Sequence, residues 1–210
     1  MLNMKENKIL KLRKPRIAVF IDAGNLWSTY KAIGKTIDFS KLPSFLLNKF
    51  DAKLFKVFYY VAYPKIGTRT ESEINGLHKF LTFLKKGLGF QIEKKPLKRI
   101  NLRDKKGNIL YDQKTGEPYI FEKGNMDVEI AIDAVRYASM YEIAIFITGD
   151  SDFLSLISFL RNTKSPKKIY VFSSEGCISH ELKTGGDGYF DLKDFPEIHK
   201  GDLKNKKITK

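Results

Sequence analysis

The chain has 210 residues, 42% of them hydrophobic, with 16 Phe and 10 Tyr, enough to build one well-packed domain and too apolar for a disordered one. It carries 38 Lys and Arg against 24 Asp and Glu, a formal +14, which points to a polyanionic partner or a Lys-rich solubilising surface. No apolar run reaches a membrane span, the basic segment Met1 to Arg16 lacks a signal-peptide core, and a single Cys177 allows no internal disulfide, so a cytoplasmic protein is expected.

After a basic arm over residues 1–15, Ile17 to Ile21 reads as a buried strand. It is followed by Asp22-Ala23-Gly24-Asn25 and a helix from Leu26 to Ile33. Asp38-Phe39-Ser40 offers a cap for a second helix, Leu42 to Phe50, with Pro43 in its first turn. Lys56 to Ala62 is rich in aromatic and β-branched residues and reads as a strand. A long helix follows from Glu71 to Leu88, its apolar residues at Ile74, Leu77, Leu81, Leu84 and Leu88, with Gly89 placed to end it. Phe90 to Ile92 starts another strand.

Leu97 to Phe121 interrupts this rhythm. Two turn signals, Lys106-Gly107-Asn108 and Thr115-Gly116-Glu117-Pro118, predict an inserted β-hairpin or small meander. Lys94 to Lys106 holds seven basic residues against Asp104 alone, a composition suited to phosphates. Tyr111, Tyr119 and Phe121 either stack unpaired bases or pack the hairpin. Regular order then resumes with a helix over 127–141, a strand Ile143 to Ile147, a helix over 152–162 and a strand Lys168 to Phe172. The expected fold is α/β, helices flanking a central, mostly parallel sheet, over residues 16–199; residues 200–210 read as a basic, frayed tail.

Carboxylates beyond the carboxyl ends of buried strands sit where open α/β sheets bind ligands. Asp22 follows the first strand and can ligate a cation, while Asn25 can orient a ligand, a water or a phosphate; a plain helix cap is the alternative for this pair. Thr148-Gly149-Asp150-Ser151-Asp152 is more telling. One cap suffices there, so two aspartates two residues apart bring repulsion that a cation would relieve. Asp127 opens a helix, where the dipole also favours its charge. At 100° per residue, Glu129 lies about 200° and Asp133 about 240° round from Asp127, so both point elsewhere, Asp133 within reach of Arg136. Three histidines without ligand spacing argue against zinc, and no GxxxxGK[ST] or GxGxxG loop or nucleophile elbow is present. A nucleophilic-aspartate phosphatase would want Asp-x-Asp after the first strand, where this chain has Ala23 and Gly24 after Asp22.

In this order, AVFIDAGNLW, KGNMDVEIAIDAV and IFITGDSDFLSLI resemble the NYN domain, in its LabA-like branch of the PIN-like nuclease superfamily. Ile178 to Leu182 and Gly186 to Phe190 resemble that branch's C-terminal pattern, so the likeness spans residues 17–192. It implies a PIN-like three-layer sandwich and a ribonuclease dependent on Mg²⁺ or Mn²⁺, with endonucleolytic cutting expected and RNA as partner. Asp22, Asp127 and Asp150 match the metal ligands, Asp152 the further aspartate of the motif, and Asn25 the asparagine after the first strand. Lys94, Lys95, Lys98, Arg99, Arg103, Lys123 and Ser151 are the substrate-binding candidates. A non-catalytic RNA-binding or regulatory protein is the rival expectation. The oligomeric state is left open, a homodimer included.

Overall fold

The structure, a computed structural model, describes residues 13–65 and 67–203. Most of the expected N-terminal arm and of the basic tail lies outside the described residues. The chain runs β1 (Arg16–Asp22), α1 (Ala23–Ile33), β2 (Lys35–Ile37), α2 (Leu42–Lys49), β3 (Lys53–Tyr63) and α3 (Glu71–Thr82). It continues through β4 (Gln91–Pro96), β5 (Lys98–Asn101), β6 (Ile120–Lys123), α4 (Asp127–Arg136), β7 (Ile143–Ile147) and α5 (Leu154–Arg161). Last come β8 (Lys168–Ser173), α6 (His180–Gly185), β9 (Gly188–Asp191) and β10 (His199–Asp202).

Six strands form a parallel sheet in the order β4-β3-β1-β7-β8-β9. Strand β1 lies in the middle, flanked by β3 on one side and β7 on the other. The sheet is built outward from β1 in one direction by β3 and β4, and in the other by β7, β8 and β9. The order therefore reverses between β1 and β7, and their carboxyl ends frame the crevice where such sheets bind ligands.

The central strands read as continuous apolar runs because both faces are covered. Ile17, Val19 and Ile21 of β1 face Leu26 and Tyr30 of α1, Leu42 and Leu46 of α2, and Leu84. Ala18 and Phe20 face the opposite layer, with Ile130 and Ala134 of α4 and Ile157 and Leu160 of α5. In register, Phe20 sits between Phe58 of β3 and Phe146 of β7, and the three rings stack at 5.2 and 5.1 Å. This aromatic row fixes the alignment of the three strands that carry the crevice.

Several boundaries differ from the sequence expectation. Asp38 does not cap α2: its Oδ1 accepts from Ser40 N at 3.0 Å, closing the preceding turn, and Lys41 precedes the helix without a side-chain bond. Helix α3 ends at Thr82 and passes into a wider π turn over Phe83–Gly87, which buries Leu84; Gly89 then takes φ +71°, as a terminating glycine should. Helix α4 ends at Arg136, because Tyr141 folds back into the core and its hydroxyl donates to Ala134 O at 2.6 Å. A sixth sheet strand, β9, was too short and glycine-flanked to register as a pattern. Residues 200–202, expected in a frayed tail, belong to β10, which pairs antiparallel with β2. The insertion is a meander apart from the main sheet: β5 and β6 pair antiparallel, and Ile109 and Tyr111 bridge to Arg103 and Pro118.

Candidate metal centre

Four aspartates meet at the crevice. Asp22 is the last residue of β1 and the N-cap of α1: its Oδ1 accepts from Gly24 N at 2.9 Å and Asn25 N at 3.3 Å, and its Oδ2 accepts from Asn25 Nδ2 at 2.7 Å. The cap and the site are thus one arrangement, since capping holds Asp22 at the strand end while leaving it 8% exposed. The other end of the Asn25 amide accepts from Gly149 N at 3.3 Å. One side chain therefore braces the end of β1 against the end of β7.

Beyond β7, Asp150 caps a single 3₁₀ turn, Ser151–Phe153, with its Oδ1 accepting from Asp152 N at 3.0 Å. Gly149 is required here because a Cβ would stand 1.6 Å from the Cys177 carbonyl oxygen. The loop over residues 174–179 lies directly against the strand end, and Ser179 N donates to Gly149 O at 3.1 Å. Asp127 begins α4. Asn125 clasps it from both sides: Asp127 N donates to Asn125 Oδ1 at 2.8 Å, and Asn125 Nδ2 donates to Asp127 Oδ2 at 2.5 Å. Asn125 as a positioning residue escapes sequence reasoning, because an asparagine two residues ahead of a helix carries no signal beyond an ordinary turn.

Carboxylate oxygens of Asp127, Asp150 and Asp152 lie within 4.8 Å of one another. Asp22 stands beside this trio in the same cleft rather than inside its tightest grouping. Burial pushes the Asp127 carboxyl above the ordinary range; the Asn125 bond opposes this, and the charges of Asp150, Asp22 and Asp152 add to it. Among the described residues, none of the four aspartates has a Lys or Arg partner. An all-oxygen donor set with uncompensated charge fits a hard divalent cation such as Mg²⁺ or Mn²⁺.

Neighbouring acids are used otherwise. Glu129 pairs with Lys95 at 2.7 Å. Asp133 is 4% exposed, accepts from the Tyr60 hydroxyl at 3.1 Å and pairs with Arg136 at 2.7 Å. Both fall outside the cluster, as their positions on the helix predict.

The cleft has a volume of about 560 Å³; its walls include Asp22, Asn25, Trp27, Tyr60, Leu97, Lys123, Asp127 and Asp150. Trp27, the last residue of AVFIDAGNLW, is 51% exposed at its edge. Of the expected substrate-binding residues, Lys123 lines the cleft, and Ser151 starts the turn between Asp150 and Asp152. Lys95 is engaged by Glu129, Lys94 lies over the Tyr63 ring, Arg99 is 3.8 Å from Glu122, and Arg103 donates to Gly107 O. Lys98 stands on β5 opposite Lys123. Among the described residues, no helix is long and apolar enough to cross a membrane.

Comparison with known proteins agrees with this architecture. The NYN domain profile matches residues 16–193. The chain is 27% identical over 185 residues, 88% of each protein, to Low amplitude and bright protein LabA of Synechococcus elongatus. A crystal structure of a protein of unknown function from Vibrio parahaemolyticus superposes with a TM-score of 0.60 at 20% identity, covering 86% of this chain and 94% of that one, a likeness of fold. The chain belongs to the NYN domain family, within the PIN-like nuclease superfamily, and is of the LabA-like type.

Proposed function

We propose that the protein is a divalent-metal-dependent ribonuclease that cuts RNA phosphodiester bonds within the chain. One observation carries this reading: three aspartates from two separate segments bring their oxygens within 4.8 Å of one another, without a basic partner among the described residues, at the reversal point of the sheet. Bringing like charges together without compensation costs stability, so the arrangement favours a cation as the missing partner. The family and the basic surface favour RNA as substrate.

Asp127, Asp150 and Asp152 would hold Mg²⁺ or Mn²⁺, with Asp22 alongside. Held there, the ion would supply a bound water of lowered pKa and charge neutralisation at the phosphate. The chain's own residues hold this site in place. Asn25 locks Asp22 and ties β1 to β7, and these two bonds fix the direction of its amide's second N–H, a donor for a phosphate oxygen. Asn125 keeps the Asp127 carboxylate from rotating. Lys123 on the cleft wall meets the incoming phosphate backbone.

The test incubates labelled single-stranded and hairpin RNAs with the protein in Mn²⁺, Mg²⁺ or EDTA, beside an Asp150→Asn variant prepared identically. Internal cleavage that needs the metal and disappears in the variant supports the proposal. Equal background in both proteins, with tight salt-sensitive RNA binding retained, would show a non-catalytic RNA-binding protein instead.

A further inference from the structure

On the β5–β6 ribbon, Lys98 stands directly opposite Lys123, and Ile100 directly opposite Phe121. Alternation along each strand puts all four side chains on one face, since residues two apart share a face. The opposite face carries Arg99 and Glu122, and Glu122 pairs with both Arg99 and Arg69. On that second face each charged ribbon residue has an ion-pair partner. On the first, two lysines occupy one cross-strand position, a destabilising arrangement, and neither has an ion-pair partner among the described residues. Next to them Ile100 and Phe121 are 46% and 53% exposed, an apolar pair left uncovered at the surface.

The ribbon borders the cleft: Lys123 lines it, together with Glu122 of the opposite face and with Leu97 and Gly124, which flank the ribbon's base. Gly124 is packed so closely that a Cβ would meet Ala62 Cβ at 2.1 Å, which fixes the ribbon's return strand against the end of β3.

We infer that the Lys98–Lys123 pair clasps a backbone phosphate of an unpaired RNA strand while Phe121, backed by Ile100, takes the neighbouring base by stacking, so that the ribbon selects single-stranded over duplex RNA. The inference deepens the ribonuclease reading and rests on the cleft accepting RNA. Two opposed ammonium groups complement one phosphate, and an exposed ring beside them offers a surface to a base whose face is free. In a duplex the base faces are stacked on their neighbours, so Phe121 has nothing to receive and only the phosphate contact remains.

The test measures binding in EDTA, where cleavage does not intervene. A short fluorescein-labelled single-stranded RNA and the duplex of the same sequence are titrated by anisotropy against the full chain, K98Q/K123Q and F121A. Quenching of Trp27, the only tryptophan, reports whether the strand reaches the cleft. F121A is expected to weaken single-strand binding roughly 5- to 100-fold and leave the duplex unchanged. The double lysine variant is expected to weaken both and lower the slope of log affinity against log salt by about 0.7 or more. It should melt no lower than the parent, because a like-charge contact has been removed. Unchanged single-strand affinity in either variant, or equal loss on single strand and duplex in F121A, overturns the inference. So does a dimeric parent whose F121A variant is monomeric, which would give this face to a second copy of the chain. Selective binding without metal-dependent cleavage would sink the ribonuclease reading alone. Cleavage with unchanged variant binding would sink this one alone.

Discussion

Neutralising one carboxylate of the cluster should stabilise the metal-free protein while removing its response to metal. Asp127→Asn is the informative change because it is nearly isosteric and both partners of the Asn125 clasp survive: the backbone N–H is unaltered and the new amide still presents an oxygen to Asn125 Nδ2. The Asp127 oxygen lies within 4.8 Å of those of Asp150 and Asp152. Two unit charges at about 4 Å repel by about 1 kcal/mol in water and about 4 kcal/mol at an effective dielectric of 20. Asp152 is exposed and Asp127 only half-buried, so the lower figure applies, giving about 2 kcal/mol for the two neighbours. Losing a negative charge at the start of α4 returns roughly 0.3–1 kcal/mol. The net gain is about 1 kcal/mol, a rise of about 2–4 °C in melting temperature for a chain of this size. The sign follows from the raised Asp127 pKa: the charge penalty is absent below the ordinary aspartate value of about 3.9, grows as pH rises from there to the higher folded-state value, and is full above it. The advantage of the variant should therefore be full near neutrality and vanish in acid. In Mn²⁺ the order should invert, because a ligand at 100 times its Kd stabilises the wild type by about 2.7 kcal/mol and the variant by much less. Thermal melts in EDTA and in Mn²⁺ check both halves. A variant that melts lower than wild type in EDTA, or that gains as much from Mn²⁺, would refute the reasoning.

Two further outcomes follow from the same geometry. Gly149→Ala pushes a methyl group into the Cys177 carbonyl, backbone against backbone, and should cost about 1–3 kcal/mol by denaturant titration while lowering metal-dependent cleavage with every charge intact; a wild-type midpoint would mean that the 174–179 loop yields freely. At the β8 edge, burial pushes Asp187 up, but the Ile169 N–H at 2.9 Å, Lys168 and Arg161 outweigh it and hold the carboxyl below its usual range. Its contribution is present above about pH 3.9 and lost as pH falls through the lower folded value, so Asp187→Asn should cost about 1–2 kcal/mol at neutral pH and close to nothing at strongly acid pH. A cost independent of pH would contradict the charged role.

What could be read from the sequence was whatever repeats or crowds locally. Strands β1 and β7 each hold a five-residue apolar run, Ile17–Ile21 and Ile143–Ile147, followed within three residues by a carboxylate, and both buried faces demand such runs. Asp150 and Asp152 stand out because two acids crowd one helix start. Four-residue β9 offers no such pattern: Gly188-Tyr189-Phe190-Asp191 becomes a strand because β8 provides a partner. The widening of α3 over Phe83–Gly87 comes from burial of Leu84, a tertiary demand laid over a regular apolar period. Lys98 and Lys123 lie 25 positions apart with two isolated bridges between them, so only the register reveals that they are opposite. Asn25 was legible as a polar group beside Asp22, but its hold on Gly149 was not, because it joins segments separated by 124 residues.

The central position of β1 has a consequence for biosynthesis. The first strand to leave the ribosome can pair with β3 early, but its other edge stays open until β7 has been made, some eighty residues after β3. Asp22 waits with it, since Gly149, the partner that Asn25 ties to it, and Asp150 both follow β7. The four carboxylates thus cannot assemble on a nascent chain that ends before Asp152. Any activity they confer switches on as a step near the end of translation rather than growing with chain length.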